Sequence, residues 1–238
     1  MSRFFIFLLF PICALANTKS IDPVKIHKVA VINSLSDTLN FHNIGLTAFG
    51  NSSNSLDIAD LHYSNYLCEL VTQSIKNIYP NIEFENFNPE KASDSEEFAK
   101  KVKGLKMSQL IALVNQRYAA LGYDAILSVK PAGIMGASGN YLVVPAKGGF
   151  VFLSSSIGKN NIYTQIIPSY SISFHPVLEK EKIYTVNSSD VFSINKSSLG
   201  VKKPEDYSKE EKDAILSELK LNIEQTVDPV VKELFSLK

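Results

Sequence analysis

The sequence predicts a mixed α/β domain with α+β character in its second half. Three observations carry this. Val29-Ala30-Val31-Ile32 has no polar interruption, as in a strand covered on both faces of a sheet. A helical stretch closed by Gly122 runs straight into Asp124-Ala125-Ile126-Leu127-Ser128-Val129, the order of a parallel strand entered from a helix. Between residues 140 and 187 helical spacing gives way to short alternating segments. The expectation is a mixed sheet, parallel in its first half and an antiparallel meander in its second, with helices packed on it.

The first strand covers about residues 26–33. Leu39 and Phe41 alternate with Asn40 and His42, which reads as a half-buried strand. Residues 46–49 would return as its hairpin partner, and 55–58 would add a short edge strand. Tyr63, Leu67, Leu70, Val71, Ile75 and Ile78 make one apolar stripe of a helix over 59–79. Pro80 stops it, because a proline ring disfavours helical geometry in the residue before it. Residues 81–87 alternate as a strand. Ser93-Asp94-Ser95-Glu96-Glu97 opens a second helix with acidic residues at its positive end. Ser108 would cap a third, carrying Leu110, Ile111, Val114, Tyr118 and Leu121.

In the second half, residues 141–144 and 150–153 flank Pro145-Ala146-Lys147-Gly148-Gly149, which reads as a hairpin. Residues 162–174 alternate around Pro168, and 182–186 form one more strand. Residues 190–207 are polar and without clear period. Ser208-Lys209-Glu210-Glu211 is a capping box opening the last helix, with Ile215, Leu216, Leu219 and Ile223 on its inner side. Pro229 removes a hydrogen bond and crowds the previous turn, so a kink there, or a fresh helix capped by Asp228, is expected.

The chain has 238 residues, and its start has the layout of a secretory signal. Arg3 is followed by an apolar core, Phe4-Phe5-Ile6-Phe7-Leu8-Leu9-Phe10, and then by Ala14-Leu15-Ala16. Residues 1–16 are therefore read as a signal peptide and 17–238 as one exported α/β domain, periplasmic or secreted. Lysine and arginine number 24, as do aspartate and glutamate. Near-neutrality argues against a nucleic-acid binder, and no later apolar run reaches the roughly 20 residues of a membrane helix. Cys68 is the one cysteine left after cleavage, which excludes an intrachain disulfide.

The candidates for chemistry are few. Ser34 and Ser36 follow the first strand in Ser34-Leu35-Ser36-Asp37, a placement similar to the post-strand serine of the SGNH hydrolases. That family's Gly-Asp-Ser-Leu order is absent, as is its late Asp-x-x-His, and His175 is followed by Pro176. Plain turn serines are the favoured reading. Cys68, on a helix, reads as a buried structural thiol and would need a nearby histidine to act as a nucleophile. Asp57, Asp60 and His62, with His42, are the available metal ligands, but they match neither a calcium loop nor a zinc motif. No metal or cofactor is expected. The glycines of 133–139 precede a strand, not a helix, so they form no phosphate cradle; a flexible connection is the favoured reading, with a binding rim or lid as the alternative. Tyr163, Tyr170 and Tyr184, on the late strands, are the candidate binding residues, with core or cover of the sheet the favoured role for most of them.

Asp37-Thr38-Leu39, Ile44-Gly45-Leu46-Thr47 and Phe49-Gly50-Asn51 resemble exported proteins of Gram-negative bacteria that carry no assigned function. The order of elements is also similar to periplasmic domains of the curli-secretion and TolB amino-terminal type. Those are accessory and assembly factors, so the resemblance implies a protein or envelope partner in preference to a small molecule. The expected activity is non-enzymatic binding, with a secreted serine or cysteine hydrolase as the alternative.

Overall fold

The structure is a computed structural model, and it describes residues 25–44, 52–134, 144–145, 148–156, 162–177, 183–191, 197 and 202–236. In chain order the strands are β1 (Lys28–Asn33), β2 (Thr38–Ile44), β3 (Ser52–Asp57), β4 (Glu83–Asn86), β5 (Ala125–Pro131), β6 (Gly133–Ile134), β7 (Val144–Pro145), β8 (Phe150–Ser156), β9 (Ile162–Pro168), β10 (Tyr170–Pro176) and β11 (Tyr184–Asn187). The helices are α1 (Tyr63–Ile78), α2 (Ser95–Val102), α3 (Met107–Ala120), α4 (Ser188–Val191) and α5 (Lys209–Ser236).

The mixed α/β class is built as two mixed sheets, not one. The first has the order β11-β10-β5-β1-β4. Its β4, β1 and β5 are parallel, and β10 and β11 continue it antiparallel. The second has the order β3-β2-β8-β9, with β2 and β8 parallel and the outer pairs antiparallel.

Alternation sorts the first sheet's side chains onto two faces. Val29, Val31, Leu127, Val129, Ile172 and Phe174 join α1 and α5 in the larger core, together with Leu39, Phe41, Phe150 and Phe152 of the second sheet. Ala30, Ile126 and Val177 face the other way and pack with Val114, Tyr118 and Tyr123 around α3. Helix α5 lies against β9 as well as β10 and β11, so one helix covers both sheets. It is tied to α1 by Ser74 Oγ donating to Asp228 Oδ1 at 2.5 Å and Tyr66 Oη donating to Glu224 Oε1 at 2.6 Å.

The alternating run around Pro168 serves both sheets: β9 ends in the second and β10 begins in the first. The crossing is pinned at Ser169, whose N–H donates to Gly149 O at 2.7 Å and whose carbonyl accepts from Ala132 N at 3.0 Å. The strand ends approach closely there. A Cβ on Gly148 would overlap the backbone oxygens of Ser36, at 2.8 Å, and of Thr38.

Several expectations are corrected. Of the segment 141–144, residues 141–143 lie outside the described residues, and Val144 does not pair with 150–153. Within that stretch β7 pairs with β6, and β8 lies between β2 and β9, because burial of Phe150 and Phe152 against Leu39 and Phe41 outweighs the local turn signal. The first long helix begins at Tyr63, after a 3-10 turn at Ala59–Leu61. Lys106, not Ser108, occupies the cap position of α3. Helix α5 runs unbroken through Pro229, with the Asp228 carboxylate spent on Ser74 instead of a new cap. The proposed return strand 46–49, the glycines 135–139 and the signal segment 1–16 lie outside the described residues.

Candidate functional site

Strand β1 sits between the parallel strands β4 and β5, and the chain leaves its carboxyl end for β2 of the second sheet. In open α/β sheets the crevice past the carboxyl end of such a strand is where ligands bind. Here it is formed by Asn33 to Asp37. The Asn33 amide donates to Ser64 O at 3.1 Å, while its Oδ1 accepts from Leu35 N at 3.1 Å. Asp37 accepts from Ser64 N at 2.6 Å and from Ser64 Oγ at 3.0 Å, which fills the amino end of α1 with the chain's own carboxylate. Ser36 is exposed and its hydroxyl donates only to Thr38 Oγ1, at 3.5 Å.

Ser34 is placed differently. Its N–H donates to Val129 O at 2.8 Å, the bond that completes the last pair of the β1–β5 ladder, Asn33↔Val129. The next residue of β5 is Lys130. Its partner is Ser171 of β10, and beyond that Asn187 of β11. Leu35 packs against the larger core. Lys130 and Ser171 are partners on adjacent strands of the α3 face. The row behind it is Ile32, Ser128, Ser173 and Thr185, and Ser173 Oγ lies 2.9 Å from Thr185 Oγ1. Ser34 and Lys130 are partly exposed at the crevice, whereas Ser171 is 2% exposed and its hydroxyl has no hydrogen-bond partner. Burial lowers the Lys130 pKa from the usual lysine value.

No histidine joins this row. His175 pairs with Ile126, at the opposite end of β5 from Lys130. Strand rise puts that about 13 Å away along the strand. His175 is 3% exposed, neither ring nitrogen has a partner, and burial pulls its pKa down to about 4, so it is neutral. Cys68 lies in the core on the other side of the sheet, with its thiol pushed up to about 11 by burial. Ser34, Ser36, Cys68 and His175 are thus not brought together.

The tyrosines are not gathered into a surface patch. Tyr170 is fully buried and its hydroxyl donates to Thr226 Oγ1 at 3.2 Å, and Tyr184 belongs to the same core. Both serve packing, the role favoured for most of these tyrosines, and not a binding surface. Tyr163 opens β9, and its side chain lies outside the described residues. Asp57 accepts from Ala59 N at 2.9 Å and so caps the 3-10 turn. Among the described residues no three His, Cys, Asp or Glu side chains come together as a metal site.

The second sheet presents a different feature. Ile58 N donates to Asp37 O, which sets the phase of the β2–β3 ladder. With that phase, Ser53 and Ser55 turn their backbone N–H and C=O groups away from β2. Ser53, Asn54 and Ser55 are exposed, and β3 is the outer strand of its sheet.

Neither a protein-family model nor a curated protein matches the chain. No helix among the described residues is long and apolar enough to cross a membrane.

Sequence reasoning missed Lys130. A lysine closing an apolar strand is an ordinary feature, and only the β5–β10 register sets it beside Ser171. The available signal was alternation, which places Lys130 on the face of Ser128 and away from Leu127 and Val129.

Proposed function

We propose that the chain is an exported, non-enzymatic binding or accessory protein whose partner is a protein or envelope component. The observation that carries this reading is the open edge of β3. An outer strand with unpaired backbone groups is a template for a further strand, and Ser53-Asn54-Ser55 lacks the charge or proline that natural edges use to prevent pairing. The signal-like residues 1–16 and the resemblance of 37–51 to exported bacterial proteins support export.

Affinity capture from an envelope fraction tests this. Ser55→Pro removes an outward N–H without touching the ladder to β2, so the fold should hold while a paired strand is lost. Capture of one protein by the wild type and its loss with Ser55→Pro is the expected result. Equal capture by both overturns the edge as the binding element.

A second reading, a secreted serine hydrolase, is favoured by one observation: Ser34 follows the last ladder pair Asn33↔Val129, and the residue after Val129 is the partly buried Lys130. A lysine whose pKa is lowered by burial is one kind of group that can activate a serine it reaches. Labelling of Ser34 by a fluorophosphonate probe in folded protein would establish it in place of the binding reading.

A further inference from the structure

We infer that the β3 edge is closed by a second copy of the chain, through antiparallel pairing of Ser53-Asn54-Ser55 with itself about a two-fold axis at Asn54. The inference rests on the open-edge reading above and names the occupant that the edge takes when no other partner is bound. Three observations converge on it.

The first is the phase of the ladder. The bond from Ile58 N to Asp37 O makes Thr38↔Asp57 a non-bonded pair, so Leu56 and Asn54 turn their backbone groups to β2 while Ser53 and Ser55 point theirs outward. Among the described residues no backbone bond reaches Ser53 or Ser55 from the outer side. The 3-10 turn at Pro204–Asp206 approaches β3, but its own backbone bond, Asp206 N to Lys203 O at 2.9 Å, does not involve the strand. Strand β9, at the other margin of this sheet, is already held at Thr164, whose carbonyl accepts from Ser197 N at 2.8 Å.

The second is the symmetry of the segment. A two-fold axis at Asn54 sets Ser53 opposite Ser55 of the copy, and Ser55 opposite its Ser53. These are the residues whose backbone groups face outward, so each outward N–H finds a carbonyl of the copy with no change in β3. Asn54 meets its own copy in the non-bonded position between them, where Cα atoms come within about 4.5 Å. A carboxamide carries both a donor and an acceptor and so pairs with itself. An axis at Ser55 would instead set Asn54 against Leu56 and Asp57 against Ser53. The third is charge. Ser53-Asn54-Ser55 is uncharged, and the chain's 24 basic and 24 acidic residues balance, so two copies approach without net repulsion. Asp57, the charge at the end of β3, would stand about 20 Å from Asp57 of the copy, beyond a screening length of about 8 Å. The pairing joins two four-stranded sheets into one continuous sheet, a closed contact that uses the same patch on both copies.

Sedimentation of the purified protein over a range of concentrations tests this. An edge contact of this size is weak, so wild type should pass from monomer to dimer with a dissociation constant on the order of 100 μM. Asn54→Lys and Asn54→Glu, at an exposed position, each set like charges face to face and should weaken the dimer at least tenfold. An equal mixture of the two variants sets opposite charges face to face and should restore it. A wild type that stays monomeric up to about 1 mM overturns the inference without any variant. A mixture no more associated than either variant alone overturns it as well. A monomeric wild type whose envelope capture is still lost with Ser55→Pro removes only this inference and leaves the binding reading standing. A dimer that follows the charge swap, with capture equal for wild type and Ser55→Pro, supports self-pairing and removes capture through β3.

Discussion

Lys130 and His175 leave the same face of the first sheet, two rows apart, and burial acts on both. For His175 the consequence is a pH dependence of stability. Its pKa falls from 6.5 in the unfolded chain to about 4 in the fold. Between those values the unfolded chain binds a proton that the folded chain does not. His175 therefore contributes fully above pH 6.5, and its contribution is lost as pH falls toward 4, with a slope of up to about 1.4 kcal/mol per pH unit. With neither ring nitrogen partnered, His175→Leu should cost under about 1 kcal/mol at pH 7, because replacing an unsatisfied buried polar group by an apolar one is close to neutral. Urea unfolding of both proteins from pH 7 to 4 checks this: the variant should have the shallower slope, and parallel curves would remove His175 as the cause. Cys68 gives a simpler expectation. Its thiol is 5% exposed and held up to about 11, so at pH 8 a maleimide should label it only at the rate of unfolding. Labelling as fast as that of a free thiol would contradict its burial.

At the scale of elements, α2 and α3 are joined by one clasp. Arg117 reaches Asp94 with Nε donating to Oδ2 at 2.8 Å and Nη2 to Oδ1 at 2.5 Å, and its guanidinium lies 4.3 Å from the Phe98 ring centroid and 5.7 Å from that of Phe87. The Arg117 side chain is 7% exposed and that of Asp94 42% exposed. Asp94→Ala leaves a nearly buried guanidinium with one side open to water, so the loss should be about 2 kcal/mol, below the full cost of breaking a buried pair. Chemical denaturation reads it, and no change would show that the aromatic rings hold Arg117 alone. This clasp was half legible in the sequence. Ser93-Asp94-Ser95-Glu96-Glu97 announced the start of α2, but nothing local says that Asp94 meets a residue 23 positions later. The same division runs through the fold. Strands β1 and β5, α1 and the Ser208–Glu211 capping box follow from apolar runs, spacing and caps, which are local chemistry. The capping box forms, with Ser208 N donating to Glu211 Oε2 at 2.9 Å and Glu211 N to Ser208 Oγ at 3.2 Å. The second sheet was not legible, because β2 finds β8 some 110 residues away and alternation is blind to which partner a strand takes. The pairing of Lys130 with Ser171 was hidden for the same reason, since each is ordinary in its own strand and only register brings them together.

Across the whole molecule, the two sheets share the core that α5 closes. Leu39, Phe150, Phe152 and Ile166 of the second sheet and Leu127, Ile172 and Phe174 of the first join Ile215, Leu219, Ile223 and Val230 of the helix in one continuous cluster. The Asn222 amide also donates to Ile166 O at 2.8 Å, which fixes α5 to β9. The chain crosses between the sheets at Ser169, where three separate segments are joined by backbone bonds: 132, 149 and 169. Neither sheet has a separate apolar store of its own on this side, so opening one should expose the other. Leu219 is fully buried in this shared layer, and Leu219→Ala should cost about 3 kcal/mol through lost transfer energy and the cavity left behind. If the sheets form one cooperative unit, that loss is felt equally at distant positions. Native-state hydrogen exchange separates the cases, because slowly exchanging amides report the free energy of opening of their own region. Amides of Phe152 and Ile166 in the second sheet, and of Leu127 and Ile172 in the first, should lose protection by the same amount, about two orders of magnitude for a 3 kcal/mol change. Loss confined to β8 and β9 would mean that the second sheet opens alone while the five-stranded sheet stays closed. Lys130 and Ser171 belong to the five-stranded sheet and the β3 edge to the other, so the same measurement shows whether binding at the β3 edge can alter the stability of the five-stranded sheet.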